Sequence, residues 1–289
     1  MKANSRKALS AIVFILLAGP VFAGGKISLR LHSGWAYILA SDMNHGTQAF
    51  FNMYQSAWPY ERRGGYRAVH SGYEFGGDIV LEMTPRLGVC IGVGHLQTSG
   101  FSESLLYSVE FAGPSMAIWA TTRLSAVPVK ASTILIVPLS RKFNLHTEVG
   151  LSYFFRARYS AEWWFTNSSF EEIIQYAHVA TSSEKRTMPM GFLGSVSLEY
   201  RLLSNIYLYL DAMGRYAEFR GWKGTSVLER NGETPMSEQG VLYYEVVPAL
   251  HWRLIMVQSS APDGPGGKPR QAALDFSGFS LQFGIRIRL

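Results

Sequence analysis

Residues 278–289 read Gly-Phe-Ser-Leu-Gln-Phe-Gly-Ile-Arg-Ile-Arg-Leu. Taken alternately, Phe279, Leu281, Phe283, Ile285, Ile287 and Leu289 form one apolar row, and Ser280, Gln282, Gly284, Arg286 and Arg288 form a small or charged one. A period of two over twelve residues is the signature of a β-strand with two chemically different faces. Alternation alone does not say which face is outside, because a water-soluble closed sheet shows the same period with its apolar row turned inward. The rest of the chain decides.

Seven further stretches repeat the pattern, at about 26–39, 73–84, 87–99, 121–138, 143–161, 188–202 and 206–220. In the first, Leu29, Leu31 and Trp35 oppose Arg30, His32 and Gly34. The fourth is the least regular, and its Pro128 predicts a bulge. Connections after the second, fourth and sixth strands are a few residues long, whereas those at 40–72, 100–120, 162–187 and 221–277 are long. Short turns on one rim and long loops on the other are the arrangement of an outer-membrane barrel, with the short turns periplasmic. We therefore expect an all-β protein: an eight-stranded antiparallel up-and-down transmembrane β-barrel with long extracellular loops and both termini periplasmic.

Composition fits that class. The chain has 17 Phe, 15 Tyr, 7 Trp and 28 Gly, with only 17% charged residues, against roughly 25% in a soluble domain. Lys2, Arg6 and Lys7, the apolar run from Ala8 to Ala18 and the small residue Ala23 predict a signal peptide over 1–23, with a single mature domain over 24–289. Those three residues belong to the 27 basic ones, so 24 remain against 21 acidic. A near-neutral mature chain gives no reason to expect nucleic acid as a partner. No stretch of roughly 18 apolar residues follows the leader, which argues against helical membrane spans. Cys90 is the only cysteine, and it reads as a small buried residue.

The loops carry weaker signals. Ser169-Phe170-Glu171-Glu172 matches a capping box that predicts a short helix continuing through Tyr176 to Ala180. Residues 240–258 predict a hairpin within the fourth loop, the rival reading being a ninth and tenth membrane strand. Residues 259–269, rich in Pro, Gly and Ser, predict a flexible tip. Trp35, Tyr37, Trp119, Tyr159, Trp163, Trp164, Phe219 and Trp222 sit where strands meet long loops, as an interfacial aromatic girdle would.

With Asp42-Met43-Asn44, the stretch from Tyr73 to Leu96, Gly214-Arg215-Tyr216-Ala217 and Leu274-Asp275-Phe276-Ser277-Gly278-Phe279, the chain resembles the small outer-membrane barrels of the OmpA-transmembrane, OmpX and OmpW type, and more closely uncharacterised single-barrel members of that group. Leu289 stands where those proteins end on an aromatic residue. The resemblance implies a monomer in a Gram-negative cell envelope, placed by the barrel assembly machinery and bathed in outer-membrane lipid and lipopolysaccharide.

The candidate site is the set of charges predicted to face the lumen. It comprises the acids Glu74, Asp78, Glu82, Glu148, Glu199 and Asp211 and the bases Arg30, Lys130, Arg156, Arg158, Arg201, Arg215, Arg286 and Arg288. In a narrow barrel such charges must pair, since an unpaired buried charge is expensive. Glu82 is expected to serve more than one arginine, Arg30 among them. His95 with Ser99, and His32 with Ser33, are the local His/Ser pairs an enzyme could use, but neither has an acidic partner at fixed spacing. No HxH or HExxH spacing points to metal, and nothing points to a cofactor. The expected role is structural or surface-interacting, without enzymatic activity; the alternatives are a narrow OmpW-like or porin-like channel for small or apolar solutes, and a lipid-modifying enzyme.

Overall fold

The computed structural model describes residues 26–56, 61–107, 114–168, 172–182, 189–247, 252–262 and 270–289. The predicted signal peptide and most of the predicted flexible tip lie outside them. In chain order the elements are β1 (Lys26–Ile38), α1 (Ser41–Ser56), β2 (Glu61–Gly65), β3 (Ser71–Glu82), β4 (Leu87–Tyr107), β5 (Pro114–Pro138) and β6 (Phe143–Asn167). There follow β7 (Glu172–Ser182), β8 (Met190–Arg201), β9 (Ile206–Tyr216), β10 (Glu218–Phe219) and β11 (Trp222–Arg230). Last come β12 (Met236–Val247), β13 (Trp252–Gln258), β14 (Leu274–Asp275) and β15 (Gly278–Arg288).

Eight strands pair in a closed antiparallel ring, in the order β1, β3, β4, β5, β6, β8, β9 and β15, with β15 returning to β1. Closure leaves this part of the sheet without an edge. The ring's outer face is apolar: Leu29, Leu31, Phe75, Ile79, Val149, Leu151, Phe192, Val196, Leu210, Phe283 and Ile285 are all exposed. Along β15 this face runs the full 11 residues of the strand. At about 3.3 Å per residue and a tilt near 40°, that is roughly 27 Å, the height of a bilayer's hydrocarbon layer.

β4, β5 and β6 continue beyond the ring at its long-connection rim. There β7, β11, β12 and β13 join β6 in succession, and β2 adds to β4. This extension curls around α1, whose Met43, Phe50 and Phe51 are buried, and forms a cap with its own apolar core. The hairpin expected at 240–258 is β12 with β13, but it docks on β11 and takes no place in the ring. The capping-box helix is not formed. Glu172–Ser182 is a strand hydrogen-bonded on both sides, by β6 and by β11, and that pairing outweighs the local cap signal.

The irregularity expected near Pro128 has its extra residue on the neighbouring strand. Ser125 pairs with Arg158 and Val127 with Phe155, so Ala126 faces two residues, of which Arg156 has φ 50°. One inserted residue flips the parity of everything after it. Below the bulge β6 turns His146, Glu148, Ser152 and Phe154 inward; above it, Ala157, Tyr159, Ala161, Trp163 and Phe165.

Candidate functional site

The interior has two storeys. The lower one, within the ring, holds a chain of contacts from Glu82 to Asp78 built mostly of ion pairs, and a separate Arg215–Glu74 pair. Near the short-turn rim Glu82 accepts from Arg288 and Arg286, both at 2.9 Å. Arg286, 1% exposed, also reaches Glu199 through Nε at 2.7 Å. Asn144 donates to Glu199 at 2.8 Å, and His146 approaches it at 3.6 Å. His146 contacts Arg30 at 2.8 Å, and Arg30 pairs with Glu148 at 3.2 Å. Ser132 donates to Glu148, and Lys130 lies 3.0 Å from Asp78 and 3.8 Å from Glu148. Near the long-connection rim Arg215 donates to Glu74 at 2.6 Å, to Ser280 and to the Phe276 carbonyl.

Each cation in this chain has a carboxylate, which is how so much charge is tolerated away from water. Tyr207 and Tyr209 complete the arginines' surroundings, the Arg286 guanidinium lying 4.6 Å from the Tyr207 ring centre and that of Arg30 5.3 Å from Tyr209. Gly92 has a specific reason to lack a side chain, since a Cβ there would meet Asp78 Oδ1 at 2.0 Å and break the Asp78–Lys130 pair.

Arg30, Glu74, Asp78, Glu82, Lys130, Glu148, Glu199, Arg215, Arg286 and Arg288 are thus brought together. Glu82 does take two arginines, but Arg30 goes to Glu148 instead. Asp211 is buried and bonds Ser195 rather than a cation. Arg156 and Arg158 are not in the interior: the bulge at Arg156 turns both to the outside, where they are exposed. Arg201 is also exposed, at the short-turn rim over Tyr207. His32 and His146 belong to the interior and were legible from strand parity alone. His32 and Ser33 point to opposite faces, and His95 packs against Phe75 on the outer wall. Neither His/Ser pair forms a dyad. Among the described residues no group of His, Cys, Asp or Glu is arranged to hold a metal ion.

The upper storey is apolar and aromatic. Phe154, Phe219 and Phe276 meet with ring centres 5.1 to 5.7 Å apart and form the part of the cap core nearest the ion pairs. Above them Phe50 stacks on Trp163 at 4.9 Å and Tyr54 on Phe165 at 4.1 Å. Tyr159, Trp163, Phe219 and Trp222, expected in an interfacial girdle, are therefore cap core, at most 2% exposed. Trp35 is 44% exposed on the ring's outer face, where a girdle residue belongs.

Helix α1 is held by its first turn. Asp42 accepts from the Ala273 amide and from Arg270, while Asn44 bonds Val69 in both directions and accepts from Tyr66. Burial pushes the Tyr66 hydroxyl up, keeping it a donor. Beside this turn opens a crevice of about 360 Å³ lined by Ser41, His45, Gln48, His70 and Asp275. At the opposite rim a vestibule of about 320 Å³ ends on Glu82, Arg286 and Arg288. Between them the interior cavity beside Asp78 and Lys130 amounts to about 20 Å³, room for little more than one water.

His178 makes the cap sensitive to acid. Buried against Trp163 and Tyr176, with no charge beside it, its imidazole is pushed by burial down to about 4 from an ordinary 6.5. The unfolded chain therefore binds a proton that the folded chain refuses. The folded state's advantage is complete above pH 6.5 and shrinks as pH falls toward 4, by about 2 kcal/mol between pH 7 and pH 5. Urea unfolding at those two pH values should show His178→Phe losing less than the wild type by that amount. Equal losses would contradict the assignment.

No protein-family model matches the sequence, and no curated protein matches it. Among solved structures, the chain is similar to a major outer-membrane protein of Thermus thermophilus, with 14% identity, 92% of this chain and 99% of that one covered and a TM-score of 0.38. It is similar also to OprG of Pseudomonas aeruginosa, at 10% identity, 91% and 95% coverage and 0.38, and to the outer-membrane protease OmpT of Escherichia coli, at 9%, 92% and 96%, and 0.39. Likeness of this size assigns the chain neither a family nor an activity.

Proposed function

We propose that the protein is an integral outer-membrane β-barrel of eight strands whose lumen is closed by its own ion pairs, and that its role is structural or surface-interacting, without catalysis. The cap is the part presented outside the cell; the short turns and both termini face the periplasm. The observation that carries this reading is the division of the ring, with an apolar outer wall of bilayer height around an interior in which five cations are matched by five carboxylates. Eight strands enclose a space just wide enough for side chains, and here long Arg and Glu side chains occupy it. The protein is taken to insert as a monomer, a reading supported by a ring that offers no strand edge to a partner.

In a planar bilayer the wild-type protein should give no steady conductance. Large, stable, porin-like steps would overturn the closed-lumen reading and favour a channel for small solutes.

A further inference from the structure

The outer wall carries a second charged feature that the closed interior does not use. Arg123 on β5 pairs with Ser160 of β6, Ser125 with Arg158, Arg158 with Thr181 of β7, and Thr181 with Lys223 of β11. Residues directly opposite in an antiparallel ladder share a face. Arg123, Arg158 and Lys223 therefore stand side by side on one outward surface, and all three are exposed. Arg156, turned outward by the bulge, sits at its lower edge, its guanidinium 5.1 Å from the centre of the Phe155 ring. Four strands spaced by about 4.8 Å make the patch roughly 15 Å wide.

Two facts point to a ligand. Among the described residues none of these four cations has a carboxylate within ion-pairing distance, whereas Arg30, Lys130, Arg215, Arg286 and Arg288 of the interior each have one. The acid on this wall at that level is Glu162, opposite Thr121 and above the patch. Their height is also set: Phe155 and Val127 face each other on the apolar wall, and the cations lie in the rows directly above them, among the exposed Val179 and Phe101. In the embedding proposed above, on which this inference rests, that level is where lipid headgroups carry their phosphates.

We propose that Arg123, Arg158 and Lys223, with Arg156, form a binding site on the barrel's outer wall for the phosphate groups of anionic lipids in the outer leaflet. Cations held beside a headgroup layer attract such lipids, and arginine matches a phosphate's geometry with paired donors. The strands fix the four groups in place, so the site selects lipids without ordering a loop.

The test uses the full chain folded into vesicles of phosphatidylcholine, and of phosphatidylcholine doped with phosphatidic acid, with bound lipid counted by native mass spectrometry. Folding into pure phosphatidylcholine reads the embedding alone. Enrichment of phosphatidic acid reads the patch, and should be about fivefold over phosphatidylcholine. Arg123→Gln/Arg158→Gln/Lys223→Gln should fold and lose that enrichment, whereas Arg86→Gln/Arg141→Gln, exposed at the short turns, should keep it. Should the triple variant not fold, Arg158→Gln and Lys223→Gln are read singly, each lowering the enrichment. Unchanged enrichment in these variants, or none in the wild type, would overturn the proposal. Displacement of the lipid by millimolar inorganic phosphate would also overturn it, showing a free-phosphate site instead.

Discussion

Arg286→Met should lower stability by about 3 to 5 kcal/mol, the usual cost of breaking a buried ion pair by removing one partner. Arg286 is the centre of the lower charge chain, joined to Glu82 through Nη1 and to Glu199 through Nε and Nη2. Methionine approximates the length of the arginine stem, so little packing is lost. What changes is charge: Glu82 keeps only Arg288, and Glu199 keeps Asn144 and His146. Two carboxylates would then stand at the inner end of the vestibule, with Glu199, 1% exposed, left without an arginine. Neutralising one of them removes much of that cost, so Arg286→Met/Glu199→Gln should unfold at a higher urea concentration than Arg286→Met alone. A single variant within 1 kcal/mol of wild type, by the criterion of a shifted urea midpoint in lipid vesicles, would mean that the interior is wet and the pairs are loosely held.

Phe283→Arg should cost roughly 2 to 4 kcal/mol, the penalty for a charge at the bilayer midplane of a barrel's lipid face. Phe283 is 58% exposed near the middle of β15, flanked by Ser33 of β1 and Leu210 of β9. In water such a substitution would be harmless or helpful, which is what makes it diagnostic. Its neighbour Gln282 is 2% exposed and faces the interior, where Gln282→Asn keeps the amide and should cost much less. If Phe283→Arg folds into vesicles as well as wild type does, the apolar wall is not covered by lipid.

The ring was legible because its strands keep one period and one polarity: apolar outward, small or charged inward. Ile79, Val149 and Phe283 on one side, and Asp78, Glu148 and Arg286 on the other, could be assigned by counting in twos. The cap was not legible for the same reason inverted. Beyond the ring the strands face water outside and a core within, so apolar residues such as Leu106, Trp163 and Phe165 turn inward while Glu103, Arg158 and Glu162 turn out. Where the phase reverses, alternation reads as a loop. The reversal in β6 depends on one residue, Arg156, at a positive φ that no propensity rule forecasts for arginine. Two of the fourteen expected interior charges, Arg156 and Arg158, were lost to that residue alone. Helix α1 was hidden by Gly46, which weakens a helix in isolation but here lets Ile255 approach, with its Cγ2 2.5 Å from where a Cβ would stand.

The charge chain shows a second limit. Strand parity gives the face a residue occupies, but partner choice depends on height and tilt around a closed ring. Arg30 is opposite Asp78 in the ladder and still pairs across the interior with Glu148. A planar sequence diagram cannot show that crossing.

If the ring sits in the outer membrane as proposed, with the cap outside and the short turns inside, the two rims differ in their access from outside the cell. Cys90, the single native thiol, is fully buried, so single cysteines introduced elsewhere can be read cleanly with a membrane-impermeant maleimide on intact cells. Glu233→Cys, at the exposed β11–β12 turn of the cap, should label without permeabilisation, and Arg141→Cys, in the short β5–β6 turn, only after it. Labelling of Arg141→Cys from outside while Glu233→Cys stays protected would put the cap on the periplasmic side and overturn the proposed orientation.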